Sequence, residues 1–358
     1  MLATEKNYIK ALTFPRFVLA LMVVIFHYGK EAFPFGPEDY GLTKFVLYSN
    51  LAVSFFFFLS GFILIYNYWN KKVNVKEFYL KRIARIYPIY IVTLLIVAVL
   101  SIIYSTVDYE GTTNLLFHTL GLQAWIPGTE LYFNFPAWSI SVEFFFYLLF
   151  PFLLLVLKKL SIQIRTLLIL SIYCFSTLQF YYFAEYAWKP NAESWNSFLV
   201  YFPVWHLNTF LMGILGGLIT LKVKEFKKSS YLWFFIAVIA SALFVLILGT
   251  QNLITRYAHN GALAPIFILI TIGLAKDRRV LNRILGWKPL LFLGEISYGV
   301  YLWQFIVYIL FTQFTQFPSA YGRYFYVYLV ILIITGSISY VYIEKPARKW
   351  ILKTWQKR

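Results

Sequence analysis

Two ionisable residues, Arg16 and His27, lie eleven residues apart on the first long apolar segment of the sequence. In an α-helix this separation is three turns plus about 20°, so both side chains project from one face, roughly 16 Å apart along the axis. The sequence places Arg16 near a cytoplasmic edge and His27 well into a membrane. An ionisable residue within a membrane span indicates function by default. The alternatives are a snorkelling anchor for Arg16 and an interhelical hydrogen bond for His27.

Two further arginines, Arg82 and Arg85, are three residues apart on one helical face, just before Tyr87 and Pro88. Guanidinium groups bind phosphate oxygens through paired hydrogen bonds. We therefore expect Arg16, Arg82 and Arg85 to ring a cytoplasmic opening suited to phosphate groups. Alternatively, Arg82 and Arg85 are only the basic residues that membrane topology requires at a cytoplasmic helix end.

A carboxylate, Glu143, follows Ser139 by one helical turn and lies in an otherwise apolar stretch that begins with Trp138. Such a group is tolerated against a partner inside a bundle or in a water-filled cavity, not against lipid. A histidine beside a carboxylate is a common general base near neutral pH. We therefore expect His27 and Glu143 to be the catalytic residues, with Glu143 orienting the imidazole, and Trp138 and Ser139 to support them.

A stripe of polar residues marks another apolar segment: Ser297, Tyr301 and Gln304 share one helical face, with Tyr298 beside it. This pattern predicts supporting positions for a site, and is equally typical of hydrogen bonding between membrane helices. The histidines have no ligand-like spacing, so the sequence predicts no metal site. With one cysteine, Cys174, no intrachain disulfide is possible.

The composition identifies the elements that must hold these residues. Of 358 residues, 60% are hydrophobic and 13% are charged, and the mean hydropathy is +0.68. Soluble domains contain about 25% charged residues. This composition argues against a cytosolic enzyme, a disordered regulator and a DNA-binding domain, and it predicts an all-α, polytopic transmembrane helix bundle.

Ten apolar segments are long enough to cross a bilayer, which takes roughly 20 residues. With the N-terminus in the cytoplasm, 27 of the 32 Lys and Arg residues fall on the cytoplasmic side, as the positive-inside rule requires. The net charge of +17 therefore reflects topology rather than nucleic-acid binding. We predict ten spans, both termini cytoplasmic, and one membrane-embedded domain over 1–358 with no appended soluble domain. The predicted spans are 11–29, 45–69, 83–105, 136–157, 166–183, 199–220, 230–249, 259–275, 294–313 and 324–343.

Six short motifs follow one another along almost the whole chain. They are Arg-x10-His (Arg16 to His27), FLSGF (58–62), RIARIYP (82–88), Trp138-Ser139 with Glu143, LGEISYGVYLWQ (293–304) and EKP (344–346). In this order they resemble the acyltransferase 3 family, integral-membrane O-acyltransferases that are widespread in bacteria. One position departs from the family pattern, because Gln304 stands where a histidine is frequent.

The resemblance implies an acyl-CoA donor, commonly acetyl-CoA, and a carbohydrate hydroxyl as acceptor on a glycan or glycolipid. It implies that His27 is the essential histidine, that Arg16 is its paired basic residue, and that Arg82 and Arg85 bind the donor. No cofactor would be permanently bound. The chain lacks the hydrolase-like domain fused to some relatives, so it either completes the transfer or passes the acyl group to a separate extracytoplasmic transferase.

The function that combines these features is a membrane O-acyltransferase in a bacterial inner or plasma membrane. A transporter or flippase of an anionic solute is the alternative, although the chain lacks the matching halves that many transporters have. A catalytically silent membrane scaffold is a third hypothesis. Aromatic residues on the outer side either stack on sugar rings or form an interfacial belt: Trp125, Tyr132, Phe133, Phe135, Trp138, Tyr181, Tyr182, Trp188 and Trp195.

Overall fold

The computed structural model of the protein describes residues 9–36, 42–104, 111–186, 193–223, 231–250, 258–315 and 322–356. All regular structure in these ranges is helical. The α-helices, numbered in chain order, are α1 Phe14–Tyr28, α2 Leu42–Leu47, α3 Ala52–Tyr68, α4 Val75–Ile103, α5 Gly111–Leu120, α6 Trp138–Lys159, α7 Ile162–Tyr186, α8 Glu193–Tyr201, α9 Leu207–Lys222, α10 Leu232–Leu248, α11 Ala264–Lys276, α12 Leu281–Leu285, α13 Lys288–Thr315, α14 Arg323–Ser339 and α15 Lys345–Gln356.

Eight continuous helical segments in the described ranges are long and apolar enough to cross a membrane. They are Lys10–Tyr28, Ser49–Tyr68, Val75–Ile103, Phe135–Lys159, Ile162–Phe183, Glu193–Lys222, Lys288–Thr315 and Tyr324–Gln356. Two further apolar helices, α10 and α11, are shorter. Together these ten helices coincide with the ten predicted segments, which confirms the polytopic all-α bundle. The number of crossings and the cytoplasmic termini stay predictions.

Some of the Lys and Arg residues counted for the predicted orientation, and one of the predicted outer aromatic residues, lie outside the described ranges. They are Lys6, Trp188, Lys189, Lys224, Lys227, Lys228, Arg256, Lys357 and Arg358.

The centre of the bundle is the close pair α3 and α9. Gly61 of α3 lies against the backbone of Phe210, and Gly213 of α9 lies against the backbone of Phe58, so a Cβ atom at either glycine would collide with a carbonyl oxygen. Small residues let the backbones of membrane helices approach in this way. The aromatic side chains around this contact are fully buried and form the main core: Phe58, Phe62, Phe146, Phe210 and Phe267.

Helices α1, α4 and α13 all begin at one end of the bundle, called here the basic end. Gly294 of α13 lies against Thr13 just before α1, and the Lys158 ammonium at the end of α6 donates to the Lys71 carbonyl oxygen just before α4, at 2.9 Å. Helix α1 packs between α3 and α13. The helices that carry the predicted site residues therefore surround a common space at the basic end.

Local sequence explains how α4 starts. The Asn74 side chain accepts a hydrogen bond from the Glu77 amide at 3.2 Å and caps α4, and Glu77 pairs with Lys81 one turn later at 2.7 Å.

At the other end of the chain, α14 continues into α15 through a π-helical turn, Tyr340–Glu344. Such turns are rare and occur frequently at functional sites. Helix α15 packs against α4 at the basic end.

Candidate active site

A cavity of about 540 Å³ opens within the bundle between α1, α3, α4, α6, α13 and α15. Its volume lies in the range of small-molecule binding sites. Eight of the eleven site residues predicted from the sequence line it: Arg16, Arg82, Arg85, Ser139, Glu143, Ser297, Tyr298 and Tyr301. The structure therefore brings together the predicted phosphate-binding arginines, Glu143 and part of the polar stripe. His27, Trp138 and Gln304 are not among the lining residues.

The arginine pair of α4 lies against aromatic and acidic groups of the cavity wall. The Arg82 guanidinium is 5.8 Å from the ring centroids of both Phe78 and Tyr147, and its buried Nε has no hydrogen-bond partner among the described residues. Arg85 is more exposed and lies within electrostatic reach of Glu344. Two aromatic rings therefore flank a guanidinium that lines the cavity, and a planar guanidinium held in this way suits anion binding.

Glu143 pairs with a tyrosine of its own helix. The Tyr147 hydroxyl, one turn further along α6, donates a short hydrogen bond to Glu143 Oε1, and the Tyr147 ring faces Arg82. A continuous array therefore runs from Glu143 through Tyr147 to Arg82. No hydrogen bond joins Glu143 to His27 in the part of the chain that the structure describes, so the expected His27–Glu143 contact is absent from this arrangement.

The inner end of the cavity, called here the floor, carries hydroxyl groups that fix α6 against α13. The Ser139 Oγ and the Tyr301 hydroxyl are 2.9 Å apart, and the Tyr301 hydroxyl also donates to the Pro136 carbonyl oxygen at 2.9 Å. Nearby, the Tyr298 hydroxyl donates to the Ile86 carbonyl oxygen at 3.2 Å, and the Ser297 hydroxyl donates to the Gly294 carbonyl oxygen at 2.8 Å. The polar stripe therefore links helices and lines the cavity at once.

His27 lies in the last turn of α1, at the end of the bundle opposite the basic end. Its depth in a membrane stays a prediction. Its half-buried ring packs against Phe26 and Phe135, with ring centroids 4.9 and 4.7 Å away. Phe135 precedes Glu143 by eight residues, about 12 Å of helix. Phe135 lies in the 3-10 turn Phe135–Ala137 that leads into α6, and this distance along the helical segment explains why His27 does not meet Glu143. Beyond the helix end, burial lowers the pKa of Lys30.

Phe135 and Pro136 separate the cavity floor from His27. Tyr301, on the floor, donates to Pro136, and the ring of the adjacent Phe135 contacts His27. The face of α1 between Arg16 and His27 is closed by Ala20 and Val23, both buried. One layer of side chains and backbone, the Phe135–Pro136 segment, therefore separates the floor from the imidazole.

Trp138 belongs to an aromatic cluster outside the cavity lining. Its ring centroid lies 4.7 Å from Tyr201, 5.4 Å from His206 and 5.5 Å from His259. The cluster packs α6 against the segments that precede α9 and α11.

Gln304 is fully buried between α13 and α14. Its side-chain Nε2 donates to the main-chain carbonyl oxygen of Tyr301, one turn earlier in α13, at 2.7 Å. The hydroxyl of Tyr328 on α14 donates to the main-chain carbonyl oxygen of Gln304 at 2.9 Å. These contacts show Gln304 in a helix-packing position behind the cavity wall.

Three cations that the sequence analysis did not select also line the cavity. Lys345, Arg348 and Lys349 of α15 face it beside the buried carboxylate of Glu344. The sequence contains a signal for these cations, because Lys345 belongs to the EKP motif and Arg348 and Lys349 follow it on the same helical face. Among the described residues, no three His, Cys, Asp or Glu side chains are grouped as metal ligands would be.

Comparison with known proteins identifies the family. The model of the acyltransferase 3 family, an acyltransferase domain, matches residues 9–343. The chain belongs to this family. The acyltransferase MdmB of Streptomyces mycarofaciens is a relative that is 29% identical over 367 residues, covering 95% of this chain and 91% of that protein. No solved structure gives a significant match to this acyltransferase-family chain.

Two other relatives of this family member are named for O-acetyl transfer. The O-acetyltransferase OatA of Staphylococcus aureus is 27% identical over 84% of this chain, and the putative peptidoglycan O-acetyltransferase YrhL of Bacillus subtilis is 22% identical over 86%. The match covers 52% of each of these two proteins, so the chain spans about half of their length. The family prediction is confirmed, and the apolar helices are those of a multi-pass membrane acyltransferase.

Proposed function

We propose that the protein takes an acyl group from cytoplasmic acyl-CoA, most simply acetyl-CoA, and transfers it to a hydroxyl of a surface or exported glycan or glycolipid. The observation that carries this proposal is the cavity, which joins a cationic opening at the basic end to a hydroxyl-lined floor inside the bundle. The names of the relatives OatA and YrhL support O-acetylation, with peptidoglycan as one kind of acceptor.

The charge of the cavity suits the donor. Its lining carries six cationic side chains and three carboxylates, so it attracts anions. Coenzyme A carries a diphosphate and a ribose 3′-phosphate at one end and the acyl thioester at the other. Arginine binds such oxygens through paired hydrogen bonds. We expect Arg16, Arg82 and Arg85 to hold the phosphates while the thioester extends toward the floor.

The proposed reaction replaces a thioester with an oxygen ester. The acceptor oxygen attacks the thioester carbonyl carbon, a C–O bond forms, the C–S bond breaks, and the coenzyme A thiolate leaves. The hydroxyl proton passes to His27 and then to the thiolate. General-base help of this kind accelerates reactions about 10²–10⁴-fold. The acceptor approaches from the side of His27, and transfer requires the Phe135–Pro136 segment to give way between them.

Glu143 acts in this proposal as a positioning residue. Its carboxylate accepts the hydrogen bond of Tyr147, and Tyr147 faces the guanidinium of Arg82. Glu143 therefore fixes the wall of the donor site rather than the tautomer of His27. This role accounts for a carboxylate inside the bundle that has no contact with the histidine.

Donor binding tests the proposal directly. Acetyl-CoA binding to the purified, detergent-solubilised protein is measured by calorimetry for Arg82→Ala, Arg85→Ala and Arg85→Lys. We expect the alanine variants to bind about tenfold or more weakly, because a charge-assisted hydrogen bond contributes about 1.5–3 kcal/mol. Lysine should restore part of the affinity because it keeps the charge but loses the planar fork.

The matched control is Arg283→Ala, which removes an exposed arginine of α12 outside the cavity and should bind like the wild type. Wild-type affinity in both Arg82→Ala and Arg85→Ala would exclude the arginines from donor binding. Release of the free thiol of coenzyme A on addition of an acceptor distinguishes acyl transfer from the alternative, transport of an anionic solute.

A further inference from the structure

Helix α15 carries cations on the face that it turns toward the cavity. Lys345, Arg348, Lys349 and Leu352 follow the spacing i, i+3, i+4 and i+7, which puts them on one stripe, and all four line the cavity. The three cations are also exposed at the surface. They therefore form the rim of the cavity, while the half-buried Arg82 lies further in.

The rim directly follows the π-helical turn Tyr340–Glu344. The turn ends at Glu344, whose carboxylate is buried, faces Ser339 at 3.5 Å and lies within electrostatic reach of Arg85. A Cβ atom at Gly299 would lie 2.9 Å from Glu344 Oε1, so α13 approaches this carboxylate closely. Glu344 thus lies near Arg85 and directly precedes Lys345, the first cation of α15.

We propose that Lys345, Arg348 and Lys349 form a separate subsite for the ribose 3′-phosphate of acyl-CoA, outside the arginines that hold the diphosphate. This inference rests on the proposed donor. The thioester must reach the floor, so the adenosine end of the molecule stays at the rim. The 3′-phosphate lies at that end, and the diphosphate lies between adenosine and the acyl-bearing arm. The order of the phosphates along the donor therefore matches the order from the exposed cations of α15 to the half-buried Arg16 and Arg82.

The chemistry of the side chains supports this division. Lysine is a mobile point charge that suits a terminal phosphate at a solvent-exposed rim, whereas an arginine held against rings suits a phosphate in a fixed place. A competing role for α15 is that of a surface helix at the membrane interface, because Trp350 is exposed on a different face of it. That role requires no recognition of the 3′-phosphate.

The test compares acetyl-CoA with acetyl-3′-dephospho-CoA, which differs by the single phosphate. Binding of both is measured by calorimetry on the detergent-solubilised wild type, on a Lys345→Gln, Arg348→Gln, Lys349→Gln triple variant, and on Lys353→Gln. Lys353 is an exposed lysine of the same helix outside the cavity lining, so it is the matched control. We expect the wild type and the control to prefer acetyl-CoA about 10- to 100-fold.

In the triple variant we expect this preference to disappear while the affinity for acetyl-3′-dephospho-CoA stays at the wild-type value, which also shows that the variant is folded. Equal affinities of the wild type for both ligands would overturn the subsite and leave the donor proposal standing. A preference that persists in the triple variant would also overturn it. Failure of the wild type to bind either ligand would instead reject the proposed donor.

Discussion

At the scale of single residues, the array from Glu143 through Tyr147 to Arg82 shows how a carboxylate inside the bundle can position an arginine of the cavity wall. Tyr147 is buried, so its hydroxyl needs the acceptor that Glu143 provides. Its ring in turn gives Arg82 a surface to lie on. The site is therefore held by contacts within α6 and between α6 and α4.

Substitution of His27 separates catalysis from donor binding, because His27 lies outside the cavity lining. His27→Ala and His27→Gln should each lower the rate of acetyl transfer at least about 100-fold, since neither side chain accepts the hydroxyl proton. Both should bind acetyl-CoA with wild-type affinity. The measurements are coenzyme A thiol release with an acceptor glycan and calorimetric binding without one.

The control for these variants is Lys30→Gln, which removes a cation one turn beyond His27 without removing a base. It should retain most of the transfer activity. Near wild-type transfer by His27→Gln would show that the imidazole is structural and that another group accepts the proton.

At the scale of helices, the contact between α3 and α9 lies directly behind one wall of the cavity. Helix α3 contributes Ser60, Ile63 and Asn67 to the cavity lining, while its opposite side is held against α9 through Gly61 and Gly213. A change in the spacing of this pair would move a wall of the cavity. The glycines therefore connect packing in the core to the shape of the site.

Gly213→Ala tests this contact. The new methyl group would meet the backbone of Phe58, which cannot rotate away, so we expect a loss of stability of about 1–3 kcal/mol. The measurement is the thermal unfolding midpoint in detergent. The control Gly249→Ala adds a methyl group at the end of α10, where the nearest atom is 3.3 Å away, and should unfold near the wild-type temperature. Equal midpoints for both variants would contradict the close approach.

At the scale of the whole molecule, the charge distribution orients the bundle. The basic end carries the cavity opening and the cations of α4 and α15, whereas His27 and Lys30 lie at the opposite end. From the positive-inside rule we expect the basic end to face the cytoplasm. Acyl-CoA and the acceptor would then approach from opposite sides of the membrane.

Single cysteines test this orientation in a Cys174→Ser background, because Cys174 is exposed. Thr113→Cys on α5 should react with a membrane-impermeant thiol reagent in intact cells. Asn74→Cys and Lys353→Cys, both at the basic end, should react only after permeabilisation. Labelling of position 74 from outside intact cells would reverse the proposed direction of transfer.

Much of this architecture is contained in the sequence. Length and hydropathy along the chain predict each long apolar helix, because membrane insertion and helical hydrogen bonding depend on local composition. The spacing of Arg82 and Arg85, and of Ser297 and Tyr301, predicts which residues share a face, and the structure brings both pairs to one cavity. The six ordered motifs were enough to identify the acyltransferase 3 family.

Only the tertiary structure decided which residues meet across helices. Tyr147 faces Arg82 of α4, and His27 lies beyond the Phe135–Pro136 segment, because the depth and rotation of one helix relative to another depend on packing that no single segment encodes. The cations of α15 line the cavity directly after a π-helical turn that ends at Glu344, and hydropathy along the chain does not predict this turn. Helical periodicity determines the face of one helix, whereas the close approach of backbones determines what that face touches.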